Sequence, residues 1–197
     1  MRPWKKALVG ALLLIVSKMV RELIGIPEGI EAKIEGNSLE IKGKEGAVKK
    51  EFRKDIKINI EDSNIVLEKE GESKRERKLV MSARAHIRNI IEGVKQKYVY
   101  RLQICSVHFP MNVSVDKNKG EIVIKNFLGE KKERRSKIIP NTNVKIEGDI
   151  ITVDSPDVEA AGQTAANVEI ITKIRNRDRR IFQDGIWMTE KAGVKIE

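Results

Sequence analysis

The sequence has little of the chemistry on which disulfide-bonded proteins and aromatic-rich nucleic-acid binders depend. It contains 197 residues but only one cysteine, Cys105. A single cysteine excludes an intrachain disulfide framework and fits a reducing compartment. Aromatic residues make up 4% of the chain, which weakens any interpretation based on bases stacking on aromatic platforms. Contacts to phosphates and recognition of nucleic-acid shape fit this composition better.

The sequence also lacks the residue patterns of a catalytic or metal centre. We find no phosphate-binding loop, zinc-ligand spacing or GxSxG motif. Cys105 and His108 are three residues apart in an apparent strand, so they would point to opposite faces and could not easily share a metal. Carboxylates are numerous, but none form a convincing acid–base pair. We therefore expect no catalytic residue, metal, cofactor or small-molecule substrate, and predict that the chain is not an enzyme.

The apolar run from Ala7 to Val16 is too short to cross a bilayer comfortably. It follows a basic start, as in a signal peptide, but no clear cleavage site comes after it. Three interpretations compete: an export signal, an apolar helix that docks on something, or residues upstream of the real start, with Met19 as the initiator. We favour the third hypothesis, in which residues 1–18 form an extension that is not part of the native protein.

Positive charge dominates the composition. The formal net charge is +10 and the isoelectric point is near 9.6, which indicates a phosphate-rich partner. The excess is spread out, with +4 in residues 1–18, +4 in residues 19–101 and +2 in residues 102–197. Binding is therefore expected to use local clusters rather than a uniformly positive surface.

An offset of 83 residues relates the two halves of the chain. It connects Ile26–Pro27 with Phe109–Pro110 and Leu39–Ile41 with Ile122–Ile124. Similar signals at a nearly constant offset indicate two copies of one unit. Both copies contain runs in which apolar and charged residues alternate, the pattern of a strand with one buried and one solvated face.

A helix is predicted at the end of each strand-rich region. Ser73 and Glu76 form a capping box before the first helix, and Ser155 is expected to cap the second, with Pro156 at its first position. The predicted fold class is α+β: two tandem duplicated domains, each an antiparallel β-sheet packed against one α-helix. The expected boundaries are an extension over 1–18, a first repeat over 19–98, a second over 99–190 and a tail over 191–197.

Two basic clusters lie in the second copy. The first is predicted to be a loop or hairpin tip, and the sequence favours neither a plain solvated surface nor direct RNA contact there. Its members are Lys131, Lys132, Arg134, Arg135 and Lys137. The second cluster follows the second predicted helix, which is rich in small residues. Its arginines exceed what the capping of a helix end requires. The arginine fork suits phosphate, so RNA is favoured here. Its members are Lys173, Arg175, Arg177, Arg179 and Arg180.

Several long motifs resemble the large-subunit ribosomal protein six family, in its archaeal and eukaryotic branch (numbered nine in eukaryotes). The resemblance covers roughly Val20 to Glu197. It is carried by IPEGIEAKIEGN (26–37), YRLQICSVHFPMNV (100–113), FLGEK (127–131), AGQTAANVE (161–169) and RDRRIFQDGIW (177–187).

The resemblance implies a structural, cytoplasmic, ribosome-bound protein with two α+β copies and no membrane partner. It implies binding to large-subunit ribosomal RNA near the sarcin-ricin loop and the stalk base, beside other ribosomal proteins and translation factors. By motif, the residues expected to face RNA are Arg177, Arg179, Arg180, Gln183, Asp184 and Gly185, with Lys173 and Arg175 beside them. From spacing alone, Asp184–Gly185 is a tight turn that either approaches a phosphate or is a plain turn.

A second class of function stays open from the sequence. In that alternative, the chain is an exported or membrane-tethered interaction module that uses the apolar run from Ala7 to Val16.

Overall fold

A computed structural model describes residues 19–61, 63–71, 73–178 and 180–196. The chain forms two compact units. Unit 1 contains the residues up to Lys42 together with Lys49–Ile91, and unit 2 contains Gly43–Val48 together with Glu92–Glu197. The predicted extension, residues 1–18, lies outside the described residues.

The first copy of the repeat contains six strands and one long helix. The strands pair in the orders β1-β6-β5 and β2-β3-β4. β6 is antiparallel to β1 and β5, and β2 is antiparallel to β3. The elements are β1 (Met19–Gly25), β2 (Glu31–Glu35), β3 (Ser38–Gly43), β4 (Gly46–Glu51), β5 (Lys57–Glu61), β6 (Asn64–Glu70) and α1 (Lys74–Lys95).

The second copy contains eight described strands and the shorter helix. The strands pair in the orders β10-β9-β8 and β11-β12-β7-β13-β14, all antiparallel. The elements are β7 (Tyr98–Cys105), β8 (Asn112–Asp116), β9 (Glu121–Lys125), β10 (Arg134–Lys137), β11 (Asn143–Glu147), β12 (Ile150–Ser155), α2 (Val158–Ile171), β13 (Gly185–Lys191) and β14 (Val194–Lys195).

The strand order of the first copy recurs in the second. The order β1-β6-β5 corresponds to β7-β12-β11, and β2-β3-β4 corresponds to β8-β9-β10. Leu39 and Ile41 of β3 are fully buried, as are Ile122 and Ile124 of β9, 83 residues later. The predicted α+β class and the duplication are therefore confirmed. β13 and β14 extend the larger sheet of the second copy only, among the described strands.

Helix α1 begins where the sequence predicts. The Ser73 hydroxyl accepts a hydrogen bond from the Arg75 amide at 3.3 Å, which satisfies one free amide of the first turn. Apolar residues at helical spacing form a buried stripe along α1, which consists of Val80, Ala83, Ile87, Ile90, Ile91 and Val94. Neither this helix nor any other in the described residues is long and apolar enough to cross a membrane.

Helix α2 begins two residues later than predicted. Its N-cap is Asp157, whose carboxylate accepts the Glu159 amide at 2.9 Å. The predicted cap, Ser155, instead ends β12, and its hydroxyl donates to the Asn141 carbonyl at 2.8 Å. A carboxylate at the N-cap adds a charge that the helix dipole favours, so Asp157 is the better cap.

Small residues allow α2 to lie close to the strands of unit 2. Ala161, Ala165 and Val168 are fully buried against Tyr100, Leu102, Ile151 and Val153 in one hydrophobic core. A Cβ on Gly162 would come within 3.1 Å of the Tyr100 hydroxyl oxygen. This close packing fixes the carboxyl end of α2, from which the second basic cluster continues.

Gly93, in the last turn of α1, makes the closest backbone approach of any described glycine. A Cβ at this position would lie 1.9 Å from the carbonyl oxygen of Pro156, so the backbone would have to move. Alanine favours a helix over glycine by about 1 kcal/mol, but overpacking typically costs about 1–3 kcal/mol or more. We predict that Gly93→Ala lowers the free energy of unfolding by about 1–3 kcal/mol in urea denaturation.

The matched control for this prediction is Ser82→Ala, at an exposed position of the same helix. It should change the free energy of unfolding by no more than about 0.5 kcal/mol. A Gly93→Ala protein as stable as the parent would contradict the close approach.

Candidate nucleic-acid interface

The second basic cluster lies in a loop between α2 and β13, which we call the basic loop (residues 172–184). The helix ends at Ile171, so the cations are not part of its last turn. In the part of this loop that the structure describes, four cations are exposed: Lys173, Arg175, Arg177 and Arg180. Arg179, also predicted to face RNA, lies outside the described residues.

Thr172 closes the basic loop at its base. This residue is 2% exposed. Its Oγ1 accepts a hydrogen bond from the Ile186 amide at 3.1 Å, and it can donate to the Val168 carbonyl at 3.3 Å or the Glu169 carbonyl at 3.1 Å. One buried hydroxyl therefore ties the end of α2 to the start of β13.

Asp184 holds the far end of the basic loop and is 1% exposed. Its Oδ1 accepts the backbone amides of Val107 at 2.7 Å and His108 at 2.9 Å. Its Oδ2 lies 2.6 Å from Nδ1 of His108. Burial raises the pKa of Asp184, but the hydrogen bonds from His108 and Val107 outweigh burial and hold the pKa below its ordinary value of 3.8. The carboxylate is thus ionised at neutral pH, and the imidazole Nδ1 must be the donor.

A stack of planar side chains connects Asp184 to the cations. The His108 and Phe182 rings are 4.8 Å apart at their centroids and inclined by 21°. The Arg177 guanidinium carbon lies 4.8 Å from the Phe182 centroid. Asp184 therefore orients His108, which supports Phe182, which in turn supports Arg177. Sequence analysis missed His108 and Phe182, because no spacing pattern connects Asp184 to a residue 76 positions earlier.

The turn predicted at Asp184–Gly185 is absent from the structure. Gly185 is the first residue of β13 and pairs with Cys105 of β7. The neighbouring Gln183 is exposed, as its predicted role requires. Its side-chain nitrogen donates to the Arg180 backbone carbonyl at 3.2 Å. Its own backbone carbonyl accepts the Trp187 indole N–H at 3.3 Å.

We predict that Asp184→Asn lowers the free energy of unfolding by about 2–3 kcal/mol at neutral pH, because hydrogen bonds to a buried charge are lost. The folded-state pKa is lowered, so the carboxylate stabilises the fold above about pH 4, and this contribution disappears as the pH falls through the folded-state pKa. The difference between parent and variant should therefore shrink below about pH 4 in urea denaturation at several pH values.

Asp178→Asn is the matched control, since this carboxylate is exposed and, among the described residues, accepts one hydrogen bond, from the Arg180 amide at 2.9 Å. Its effect should stay within about 0.5 kcal/mol. Equal effects of the two substitutions would contradict the buried role of Asp184.

The first basic cluster was predicted to be a loop or hairpin tip, but three of its five residues lie in a strand. Arg134–Lys137 form β10, which pairs with β9 and lies at the edge of its sheet. Lys131 and Lys132 precede the strand and are exposed. The alternation of a strand sends Arg134 and Arg135 to opposite faces, so the two arginines have different surroundings.

Arg134 supports the end of α2. Its guanidinium donates to both carboxylate oxygens of Glu130, at 2.8 and 2.6 Å, and to the Ile171 carbonyl at 2.6 Å. It also lies over the Phe127 ring, 4.2 Å from the centroid. The hydrogen bond from Arg134 lowers the pKa of Glu130. Arg134 thus bonds a helix-terminal carbonyl that has no partner within the helix.

The remaining cations differ in how far carboxylates offset them. Arg135 pairs with Glu133 at 2.9 Å and Glu121 at 3.5 Å. By contrast, a larger set has no ion pair within 4.0 Å among the described residues: Lys131, Lys132, Lys137, Lys173, Arg175, Arg177 and Arg180. These are the cations that a polyanion could neutralise most fully.

We predict that Arg134→Lys lowers the free energy of unfolding by about 1–2 kcal/mol, because lysine cannot reproduce a forked contact to a carboxylate and a carbonyl. Arg135→Lys is the matched control on the next residue, and its effect should be near zero, since the Arg135 side chain is 43% exposed and lysine can keep a surface ion pair. Urea denaturation of both variants makes the comparison, and an equal loss in both would contradict the supporting role of Arg134.

A single open cleft of about 660 Å³ joins the two basic clusters. It lies between β10 and the carboxyl end of α2, and no described Asp or Glu lines it. Its lining residues are Arg134, Arg135, Ser136, Lys137, Asn167, Ile170, Ile171, Lys173 and Arg175. The sequence separates these clusters by more than thirty residues, and the fold brings them together.

The fold and this cleft define a class of protein: a duplicated α+β scaffold whose second copy carries a locally concentrated positive charge, typical of structural proteins that bind polyanions. The family model for Ribosomal protein L6 matches residues 26–97 and 109–185. The two matches begin 83 residues apart, the offset of the internal repeat. The chain belongs to this family.

Curated relatives agree with the family match over most of the chain. The Large ribosomal subunit protein uL6 of Aeropyrum pernix is 40% identical over 87% of this chain and 94% of its own length. The protein of the same name from Methanobrevibacter smithii is 39% identical over 90% of this chain and 99% of its own length. The one from Desulfurococcus amylolyticus is 38% identical over 88% of this chain and 95% of its own length. The predicted family and its non-enzymatic nature are confirmed. The assignment of individual residues to RNA contact stays a prediction.

Proposed function

We propose that the chain binds large-subunit ribosomal RNA through the basic cleft and basic loop of unit 2, near the sarcin-ricin loop and the stalk base. The observation that carries the proposal is the convergence of the two basic clusters on one cleft without a lining carboxylate among the described residues. The polyanion is inferred to be ribosomal RNA because the chain belongs to a ribosomal protein family. It is inferred to be large-subunit RNA because the relatives are named as large-subunit proteins.

The proposed mechanism is phosphate neutralisation by cations that are already in place. Each contact between a cation and a phosphate releases condensed counterions, which makes the affinity depend on salt. Ordering a free loop on binding would cost conformational entropy. The buried hydrogen bonds of Thr172 and Asp184 reduce that cost, because the base of the basic loop is already fixed. Recognition of the shape of folded RNA would supply the remaining specificity.

The predicted site residues divide into two groups under this proposal. Those with exposed charges or amides are proposed to contact RNA: Lys131, Lys132, Arg135, Lys173, Arg175, Arg177, Arg180 and Gln183. Arg179, outside the described residues, is proposed to contact RNA from its motif alone. Arg134 and Asp184 are proposed to position these groups, because their polar atoms are already bonded within the protein. Gly185 belongs with the second group, since it is buried in β13.

The same proposal gives the chain a place and partners in the cell. It is a cytoplasmic, ribosome-bound protein that contacts neighbouring large-subunit proteins and lies where translation factors dock. The first copy supplies rigidity and protein contacts, since a basic loop of this kind follows only the second helix in the described residues. The competing hypothesis of an exported or membrane-tethered module has no support from the family match.

We predict that the combined substitution Lys173→Gln, Arg175→Gln and Arg180→Gln weakens binding to a fragment of the large-subunit RNA that contains the sarcin-ricin hairpin and the stalk base. Affinity at near-physiological salt should fall about tenfold or more, and the slope of log affinity against log salt should flatten by about 2–3, because three phosphate contacts are lost. Arg177 is left in place, since it also packs on Phe182.

The matched control is Arg75→Gln, Arg77→Gln and Lys78→Gln, which removes the same charge from exposed positions of α1 in unit 1. Filter binding across a salt series should show a small change in affinity and an unchanged slope. Equal losses in the two triple variants would mean that net charge, and not the basic loop, determines binding.

A further inference from the structure

The few aromatic residues of the chain are concentrated around the two basic clusters. The whole sequence has four phenylalanines, two tryptophans and two tyrosines, and four of these eight lie close to the basic loop or to the first cluster: Phe109, Phe127, Phe182 and Trp187. Phe109 is the most exposed of the large side chains in this group, with 49% of its surface accessible. The low overall content of aromatics therefore conceals a local excess.

Phe109 lies on a loop, residues 106–111, that is attached to both basic clusters. On one side, the Asn126 side chain donates to the Pro110 carbonyl at 3.0 Å. The Phe109 ring also packs over Gly129, where a Cβ would lie 3.7 Å from the ring. Lys131 and Lys132 come shortly after Gly129 in the sequence. On the other side, Asp184 binds the amides of Val107 and His108, as described above.

Two further apolar side chains are exposed on these attached loops. Val107 is 67% exposed and Ile181, in the basic loop, is 63% exposed. Single exposed apolar residues are ordinary, but these come from two loops that are fixed to each other by Asp184 and by the stacking of His108 on Phe182. An open depression of about 540 Å³ adjoins them, lined by Cys105, Val107, Gln183 and Trp187.

We propose that an unpaired RNA base stacks on the exposed Phe109 ring, with Val107 and Ile181 as its apolar neighbours, since both faces of Phe182 are already covered by His108 and Arg177. The inference rests on the proposed RNA-binding function and adds a nucleotide-level preference to it. An aromatic ring offers a stacking face to any base, and cations on both sides can hold the phosphates of the same nucleotide. RNA fits these features better than a protein partner does, because the loop that carries Phe109 is attached beside both basic clusters, most of whose exposed cations have no ion pair among the described residues.

Two short RNA duplexes of about one helical turn test the proposal, identical except that one carries a single unpaired adenosine. Stacking on one aromatic side chain is worth a factor of about 5–100 in affinity. The full chain should therefore bind the bulged duplex at least about fivefold more tightly than the perfect duplex at the same salt. Phe109→Leu keeps apolar volume but removes the ring, and should reduce this preference to below about twofold without changing binding to the perfect duplex.

Two further variants separate stacking from general apolar contact. Phe109→Trp should retain the preference, because it keeps an aromatic face. Val194→Ala, at an exposed position of β14, should leave both affinities unchanged. A Phe109→Leu protein that keeps the full preference would overturn the inference, as would loss of the preference in Phe109→Trp.

The outcomes also separate this inference from the function on which it rests. If the parent protein binds both duplexes equally and with a steep salt dependence, the phosphate-binding function stands and the base-stacking inference fails. That result would assign these exposed apolar side chains to a protein partner instead. If the parent protein binds neither duplex nor the large-subunit RNA fragment, the proposed function itself fails.

Discussion

Closure of the basic loop at its base is the constraint on which the candidate interface depends. The Thr172 hydroxyl and the Asp184 carboxylate are both almost fully buried. Thr172 accepts the Ile186 amide, and Asp184 accepts the amides of Val107 and His108. Buried polar groups of this kind are costly unless every bond is made, so they specify one arrangement of the loop. The exposed cations therefore extend from a fixed base, and binding a polyanion does not require the whole loop to become ordered.

The duplication shows how such a loop was accommodated without a new fold. Both copies use the same strand orders and one helix, but only the second continues past its helix into a basic loop and then into β13, among the described elements. β13 pairs with β7 at the centre of the larger sheet, so the loop connects two well-packed elements of unit 2. Under the proposed function, RNA binding thus combines an addition to the second copy with the edge strand β10 of the shared scaffold.

The sequence predicts the scaffold better than the roles of its polar residues. Alternating and helical periodicities depend on local spacing, so the repeat, the stripe of α1 and the small-residue face of α2 were predictable. Charge clusters also marked the two segments that the fold brings to one cleft. Periodicity does not show which charges are used internally: Arg134 bonds a carbonyl 37 residues later, and Asp184 bonds an amide 76 residues earlier. These long-range bonds separate the supporting residues from those proposed to contact RNA, and only the fold shows them.

Hydrogen–deuterium exchange of the full chain, free and bound to the large-subunit RNA fragment, tests the central claim most directly. The account predicts that binding protects amides of the basic loop and of residues 131–137, while amides of α1 over Lys74–Ile91 exchange as they do in the free protein. The base of the basic loop around Thr172 and Ile186 should already be protected in the free protein, because it is buried and hydrogen-bonded. Protection confined to α1 or to other parts of unit 1, or a basic loop whose base exchanges freely until RNA is added, would contradict the account.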